Sequence, residues 1–241
     1  MHTRLIGHRG ARGEAPENTL AGFRHLINLA IRAVEFDIRV SADGELVVIH
    51  DDRLERTTNG VGLVREHTQA ELSQLDACQL QWPYWPVAEG VPSLAEVLAL
   101  LIDFEHLELE VKPCNEHDQA IIVQKLPALW QHFGLSGRAR TTSFDPRYLS
   151  AIAEHAPNID RGFLFEQDFA GNPIAIATAL GCSSLGPHQA RCEPELITQA
   201  HEAGLYVSTW TVNDAERAIA LAEMGVDGII SDVPTQALNW L

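Results

Sequence analysis

Glu35 and Asp37 stand in an E-x-D triplet and Glu110 and Lys112 in an E-x-K triplet, while His8 and Arg9 sit side by side where a short apolar run ends. If each triplet lies on a β-strand, its outer residues project to one side. Three acidic oxygens on neighbouring strands then make a site for a hard cation, Mg²⁺ or Ca²⁺ rather than zinc, with water or substrate completing the shell. The same triplets also suit an edge strand with its charges in solvent, and spacing alone leaves both readings open. The 33 acidic residues against 17 basic give a formal charge of -16. That balance speaks against nucleic acid or an anionic membrane as a partner, and any anionic substrate must be met by local positive charge.

These residues need elements to bring them together. A chain of 241 residues with 46% hydrophobic content can bury one large core, and it has the size of a single α/β barrel. Strand-like runs occur at 4–7, 33–40, 46–50, 106–112, 139–144, 161–165, 183–187, 205–211 and 227–231. Helical spacing lies between them, as in Leu20, Phe23, Ile27 and Leu94, Val97, Leu98, Leu101. Alternation of this kind predicts βαβ units around a parallel sheet. The run at 46–50 is set apart by Asp43-Gly44, a hairpin signal that makes it an antiparallel return strand and leaves eight parallel staves. A two-residue turn there pairs Ala42 with Glu45 and, counting back, sets His50 opposite Asp37.

Residues 52–92 are too long for an ordinary βα loop and too short for a core of their own, so they are expected to form a small insertion covering the barrel mouth within a single 1–241 domain. Their aromatic cluster, Trp82, Tyr84 and Trp85, is expected to pack the insertion onto the barrel, with contact to a substrate as the other option. Asn18 and Thr19 suit a plain helix N-cap, a lean of Glu17 toward the site is the less favoured option for that residue, and Asp232 is expected to cap the last short helix. Cys78, Cys114, Cys182 and Cys192 form no CxxC pair and read as free thiols. No apolar run has the length of a signal peptide or a bilayer span, so a cytoplasmic protein without a stable membrane anchor is expected.

HRG at 8–10, PENT at 16–19, E-x-D at 35–37, VVIHDD at 47–52, LERTTNG at 54–60, E-x-K at 110–112, TSF at 142–144 and WTVN at 210–213 follow one another along nearly the whole chain. In type and order they resemble the glycerophosphodiester phosphodiesterase family, within the phospholipase C-like superfamily. One departure is Thr142, where a serine is common. The resemblance implies a (β/α)₈ TIM barrel with an insertion after the second stave, and hydrolysis of small-molecule glycerophosphodiesters to glycerol 3-phosphate and an alcohol. Carried over by position, His8 and His50 are the acid/base pair, and Glu35, Asp37 and Glu110 the ligands of a divalent cation. Arg9 and Lys112 then contact the phosphate, while Trp210 either stacks on the glycerol carbons or packs the barrel mouth. Lysophospholipase D or sphingomyelinase D chemistry and a non-catalytic phosphate-binding barrel are the alternatives, and a homodimer is left open.

Overall fold

The computed structural model describes residues 3–241. Eight parallel strands close on themselves: β1 (Arg4–His8), β2 (Ala33–Val40), β4 (His106–Val111), β5 (Ala139–Ser143), β6 (Arg161–Phe165), β7 (Ser184–Pro187), β8 (Tyr206–Thr209) and β9 (Gly228–Ser231). Closure comes from β1, which pairs with β9 on one side and β2 on the other, Gly7 opposite Val34 and His8 opposite Glu35. A ninth strand, β3 (Leu46–Val48), runs antiparallel to the far end of β2. Helices α1 (Leu20–Asn28), α3 (Leu94–Leu100), α4 (Glu116–His132), α5 (Pro146–His155), α6 (Pro173–Ala179), α7 (Pro194–Glu202) and α8 (Ala215–Glu223) follow successive staves, and α9 (Pro234–Ala237) ends the chain. A short α2 (Gln69–Leu72) lies between β3 and α3.

Period-2 alternation on each stave separates two environments. Val34, Phe36, Ile38 and Val40 of β2, like Leu107, Leu109 and Val111 of β4, join the main apolar core with the helices, where Phe23 of α1 meets Phe36 edge to face at 5.6 Å. The alternate residues face the barrel interior. That interior is unusually polar for the fold, whose centre is ordinarily filled by branched apolar side chains. Ile6, Ala33 and Ile230 supply a small apolar floor, and beside it Glu108 accepts from Ser208 Oγ at 3.1 Å and lies 2.8 Å from His106 Nε2. Burial pushes the Glu108 carboxyl up, but His106, Arg140 and Ser208 outweigh it and hold it below the usual carboxylate range.

The β2–β3 hairpin differs from the expected one. Gly44, at φ +76°, donates to Ser41 O, and Ser41 N donates to Glu45 O, so the loop holds three residues with glycine in the left-handed position. Ile38 therefore opposes Val48 and Arg39 opposes Val47, and Ile49, not His50, donates to Asp37 O at 3.1 Å. A one-residue slip exchanges the faces of a strand, so pairing cannot be what aims His50.

Residues 52–92 contain α2 and a satellite cluster of Leu54, Val64, Leu72 and Val91 on Val47 and Ile49. Of their aromatics, Trp85 packs against the main core beside Ala21 and His25 of α1, whereas Tyr84 is fully exposed. Asp232 does not cap the last helix; Val233 holds the N-cap position and the Asp232 side chain turns inward.

Candidate active site

A cavity of about 210 Å³ opens at the carboxyl ends of the staves, and His8, Arg9, Glu35, His50, Glu110, Lys112 and Trp210 all line it. The eighth residue singled out by sequence, Asp37, is fully buried directly behind the lining. Residues 52–92 contribute nothing to the lining itself.

Oxygens of Glu35, Asp37 and Glu110 lie within 4.8 Å of one another on β2 and β4, where Asp37 is in register with Glu110. Burial and the neighbouring Asp37 and Glu110 push Glu35 well above the usual carboxylate value. Burial also raises Glu110, despite Lys112 beside it. Asp37 goes the other way, since Lys112 and Arg9 outweigh its burial and hold it well below. Glu35 Oε1 has no hydrogen-bond partner, and Asp37 Oδ1 meets only the Lys112 ammonium, at 3.3 Å without hydrogen-bond geometry. Buried acceptors left unmatched are costly, and a cluster of hard oxygens with free lone pairs is the donor set a divalent cation requires.

Positive charge borders this cluster. Lys112 Nζ lies 2.5 Å from Glu110 and 3.3 Å from Asp37. Arg9 bridges Asp37 at 3.2 Å and Glu17 at 3.0 Å, and its backbone N–H, exposed by a left-handed φ of +49°, donates to Glu35.

Each histidine is held by a carboxylate at Nδ1, which leaves Nε2 as the nitrogen available to a ligand. His8 Nδ1 lies 2.5 Å from Asp232, and His50 Nδ1 lies 2.5 Å from Asp51. Burial lowers His8, with Asp232 opposing in part. Burial together with Lys112 and Arg9 lowers His50 to about 4, although Asp37 opposes. His50 lies beyond the end of β3, where Arg39 Nε donates to its backbone carbonyl at 2.7 Å.

Several residues here were not legible as site residues. Asp232, at the end of β9, also accepts from Asn213 Nδ2 at 2.8 Å. Asn18 is no mere cap: Thr19 caps α1 by accepting from Gly22 N, while Asn18, at φ +55°, donates through Nδ2 to Asp37 at 2.8 Å. Thr142 lines the cavity with an unpartnered buried hydroxyl. Inward parity on β5 and position at the end of β9 were the available signals for Thr142 and Asp232. The far wall is apolar, with Leu164 and with Phe144 edge to face on Trp210 at 5.4 Å; Trp210 Nε1 donates to Gly186 O.

With two carboxylate-anchored imidazoles, the cations Arg9, Arg12 and Lys112, and three clustered acids around one cavity, the arrangement can bind an anion and move protons beside it. The chain is 32% identical over 240 residues to a glycerophosphodiester phosphodiesterase of Caldanaerobacter subterraneus subsp. tengcongensis, covering 99% of this chain and 98% of that protein. Among solved structures, an Oleispira antarctica phosphodiesterase in complex with the product sn-glycerol-3-phosphate superposes with a TM-score of 0.91 at 30% identity, covering 99% of this chain and 96% of the other. A glycerophosphodiester phosphodiesterase from Agrobacterium tumefaciens gives 0.81 at 30% identity, with 96% and 97% covered. The sequence profile of the glycerophosphoryl diester phosphodiesterase family matches residues 8–236, and the chain belongs to that family of enzymes.

Proposed function

We propose that this protein hydrolyses glycerophosphodiesters to glycerol 3-phosphate and an alcohol, using a divalent cation at Glu35, Asp37 and Glu110 and proton transfer by His8 and His50. The observation that carries the proposal is the meeting, in one cavity, of two Nδ1-anchored histidines with three buried carboxylates whose oxygens are partly unmatched. A Mg²⁺ or Ca²⁺ ion, when bound, supplies Lewis-acid polarisation of a phosphoryl oxygen.

The chain's own residues do the rest. Arg9 offers a planar fork and Lys112 a point charge to the phosphate, holding its negative charge while one oxygen gains a bond and another leaves. An alkoxide leaves poorly unless protonated, so one imidazole donates through Nε2 and the other accepts a proton from the nucleophile, each contributing about 10²–10⁴-fold. Asp232 and Asp51 keep the Nδ1–H tautomer and the ring orientation that this requires. Trp210 and Phe144 give the carbon skeleton of the substrate an apolar wall.

Residues 1–241 act as one catalytic domain, with 52–92 as an insertion flanking the mouth. Four free thiols suit a reducing cytoplasm, and the reaction belongs to glycerol and lipid metabolism. Among the described residues no helix is long and apolar enough to cross a membrane.

The test is release of glycerol 3-phosphate from glycerophosphocholine, glycerophosphoethanolamine and glycerophosphoglycerol with Mg²⁺, Ca²⁺ or chelator. Activity that needs a cation and disappears in His8→Ala and His50→Ala supports the reading. Turnover in excess chelator after dialysis would sink the metal assignment, and near-normal turnover in either histidine variant would sink the mechanism.

A further inference from the structure

We infer that Arg56, an insertion residue outside the barrel and outside the cavity lining, is a positioning residue that fixes the acid/base His50 and the phosphate-binding Arg9 in one frame. The inference rests on the two-histidine reading above and assigns work to a side chain that touches no substrate.

Arg56 joins two carboxylates that face opposite parts of the site. Its Nη1 and Nη2 donate to Glu17 at 3.0 and 2.8 Å as a two-pronged pair. Nη2 also reaches Asp51 Oδ1 at 3.2 Å, and Nε donates to Asp51 Oδ2. From there the chain of contacts runs inward on both sides: Asp51 to His50 Nδ1 at 2.5 Å, and Glu17 to Arg9 Nη1 at 3.0 Å. Glu17 is 3% exposed in its side chain, so it cannot exchange these partners for water, whereas Arg56 is 37% exposed. An isolated pair of that exposure would contribute little. A planar fork satisfying two carboxylates at once is a different object, because both are held in relative position by one rigid group.

Two further features say why such a brace is required. His50 lies past the last paired residue of β3, and the hairpin register does not orient it, so its ring depends on what grips Asp51. Arg56 itself is well seated. Leu54 is fully buried in the satellite cluster, Thr58 N and Oγ1 both donate to Leu54 O, and Gly60 N donates to Thr58 Oγ1, which closes a tight turn around Arg56. The satellite core therefore reaches the site by a second route besides Ile49, which precedes His50 directly: the Arg56 guanidinium.

Displacement of a proton-transfer group by about 1 Å can cost about 10²-fold. Arg56→Ala is expected to lower kcat by about 10- to 100-fold on a natural glycerophosphodiester at saturating cation, with a smaller rise in KM through Arg9. Added guanidinium ion should restore several-fold of the lost kcat in Arg56→Ala and none in His50→Ala. In the His50→Ala background, Arg56→Ala should change kcat by less than about threefold, since the proton-transfer group it holds through Asp51 is gone, while the KM effect through Glu17 and Arg9 should persist. Arg56→Lys keeps the charge and guards against loss of the fold; it should stay well below wild type because an ammonium cannot fork to both carboxylates. Wild-type kcat in Arg56→Lys and Arg56→Ala, an equal loss in the His50→Ala background, or no guanidinium rescue of folded Arg56→Ala would each overturn the inference while leaving the histidine reading intact. Near-normal turnover of His50→Ala would overturn both.

Discussion

Asp232 illustrates how much of this site depends on single side chains that perform no chemistry themselves. An imidazole can transfer a proton through Nε2 only if the other nitrogen carries its hydrogen in a fixed direction, and the 2.5 Å contact with Asp232 supplies that for His8. Asp232→Asn keeps size and shape but presents an amide, which also accommodates the wrong tautomer. Its kcat is expected to fall by about 10²-fold or more with KM little changed; steady-state kinetics with a parallel thermal melt would check it, and a kcat within threefold of wild type would refute the role. Thr142 makes a different case. Its buried hydroxyl lacks any protein partner, so Thr142→Val removes an unmatched polar group at nearly constant volume. The variant should melt at the same or a higher temperature while substrate KM rises, two opposite signs from one substitution. A fall in both stability and KM would contradict that account.

At the scale of elements, the staves were legible because each carries an apolar face at period 2, and every expected strand has its counterpart, within one or two residues at most ends. The triplets Glu35-x-Asp37 and Glu110-x-Lys112 carry the same signal, which puts each pair on one side of its strand; that side is told from solvent only by the family resemblance. Asp43-Gly44 marks the hairpin but not its loop length, because the dipeptide does not reveal whether glycine sits inside a two-residue turn or ends a three-residue one. His50 was thus assigned to the site on the resemblance and on a register that does not exist; contacts from Arg39 and Asp51 bring it there instead. Such long-range contacts leave no periodic trace, and Asp232 and Asn18 escaped for the same reason. Gly44→Ala tests the corrected loop. A Cβ there meets nothing closer than 3.8 Å, so the only penalty is the left-handed φ, and denaturant titration should give a loss of about 1 kcal/mol with kcat unchanged. A two-residue turn would predict displacement of the whole of β3 and a measurable loss of activity.

For the molecule as a whole, the acid cluster ties stability to pH and, on the proposed cation site, to the ion. With its carboxyl raised well above the usual value, Glu35 retains a proton in the cation-free folded state at pH values where the unfolded chain, titrating at about 4.3, has lost it. The folded state then binds more protons, so stability falls as pH rises through that window; depressed Asp37 acts oppositely, its contribution disappearing only in stronger acid. The lowered His8 and His50 act in the opposite sense in the same window, so the Glu35 contribution is read as a difference: in chelator, wild type should lose thermal stability relative to Glu35→Gln as pH is raised above about 4.5. The difference should shrink with saturating cation, and a wild type that gains stability on Glu35→Gln across the window would contradict the assignment. A cation held at about 100 times its Kd adds about 2.7 kcal/mol to the folded state. The clustered oxygens of Glu35, Asp37 and Glu110 would then bear on protein lifetime as well as on the proposed catalysis. On the proposed cation site, shortage of the ion would leave not only an idle protein but a more readily opened one, which proteases clear faster. Limited proteolysis should cut the wild-type chain faster in chelator than in cation, and the gap should narrow in Glu35→Gln, whose vacant cluster no longer resists being folded.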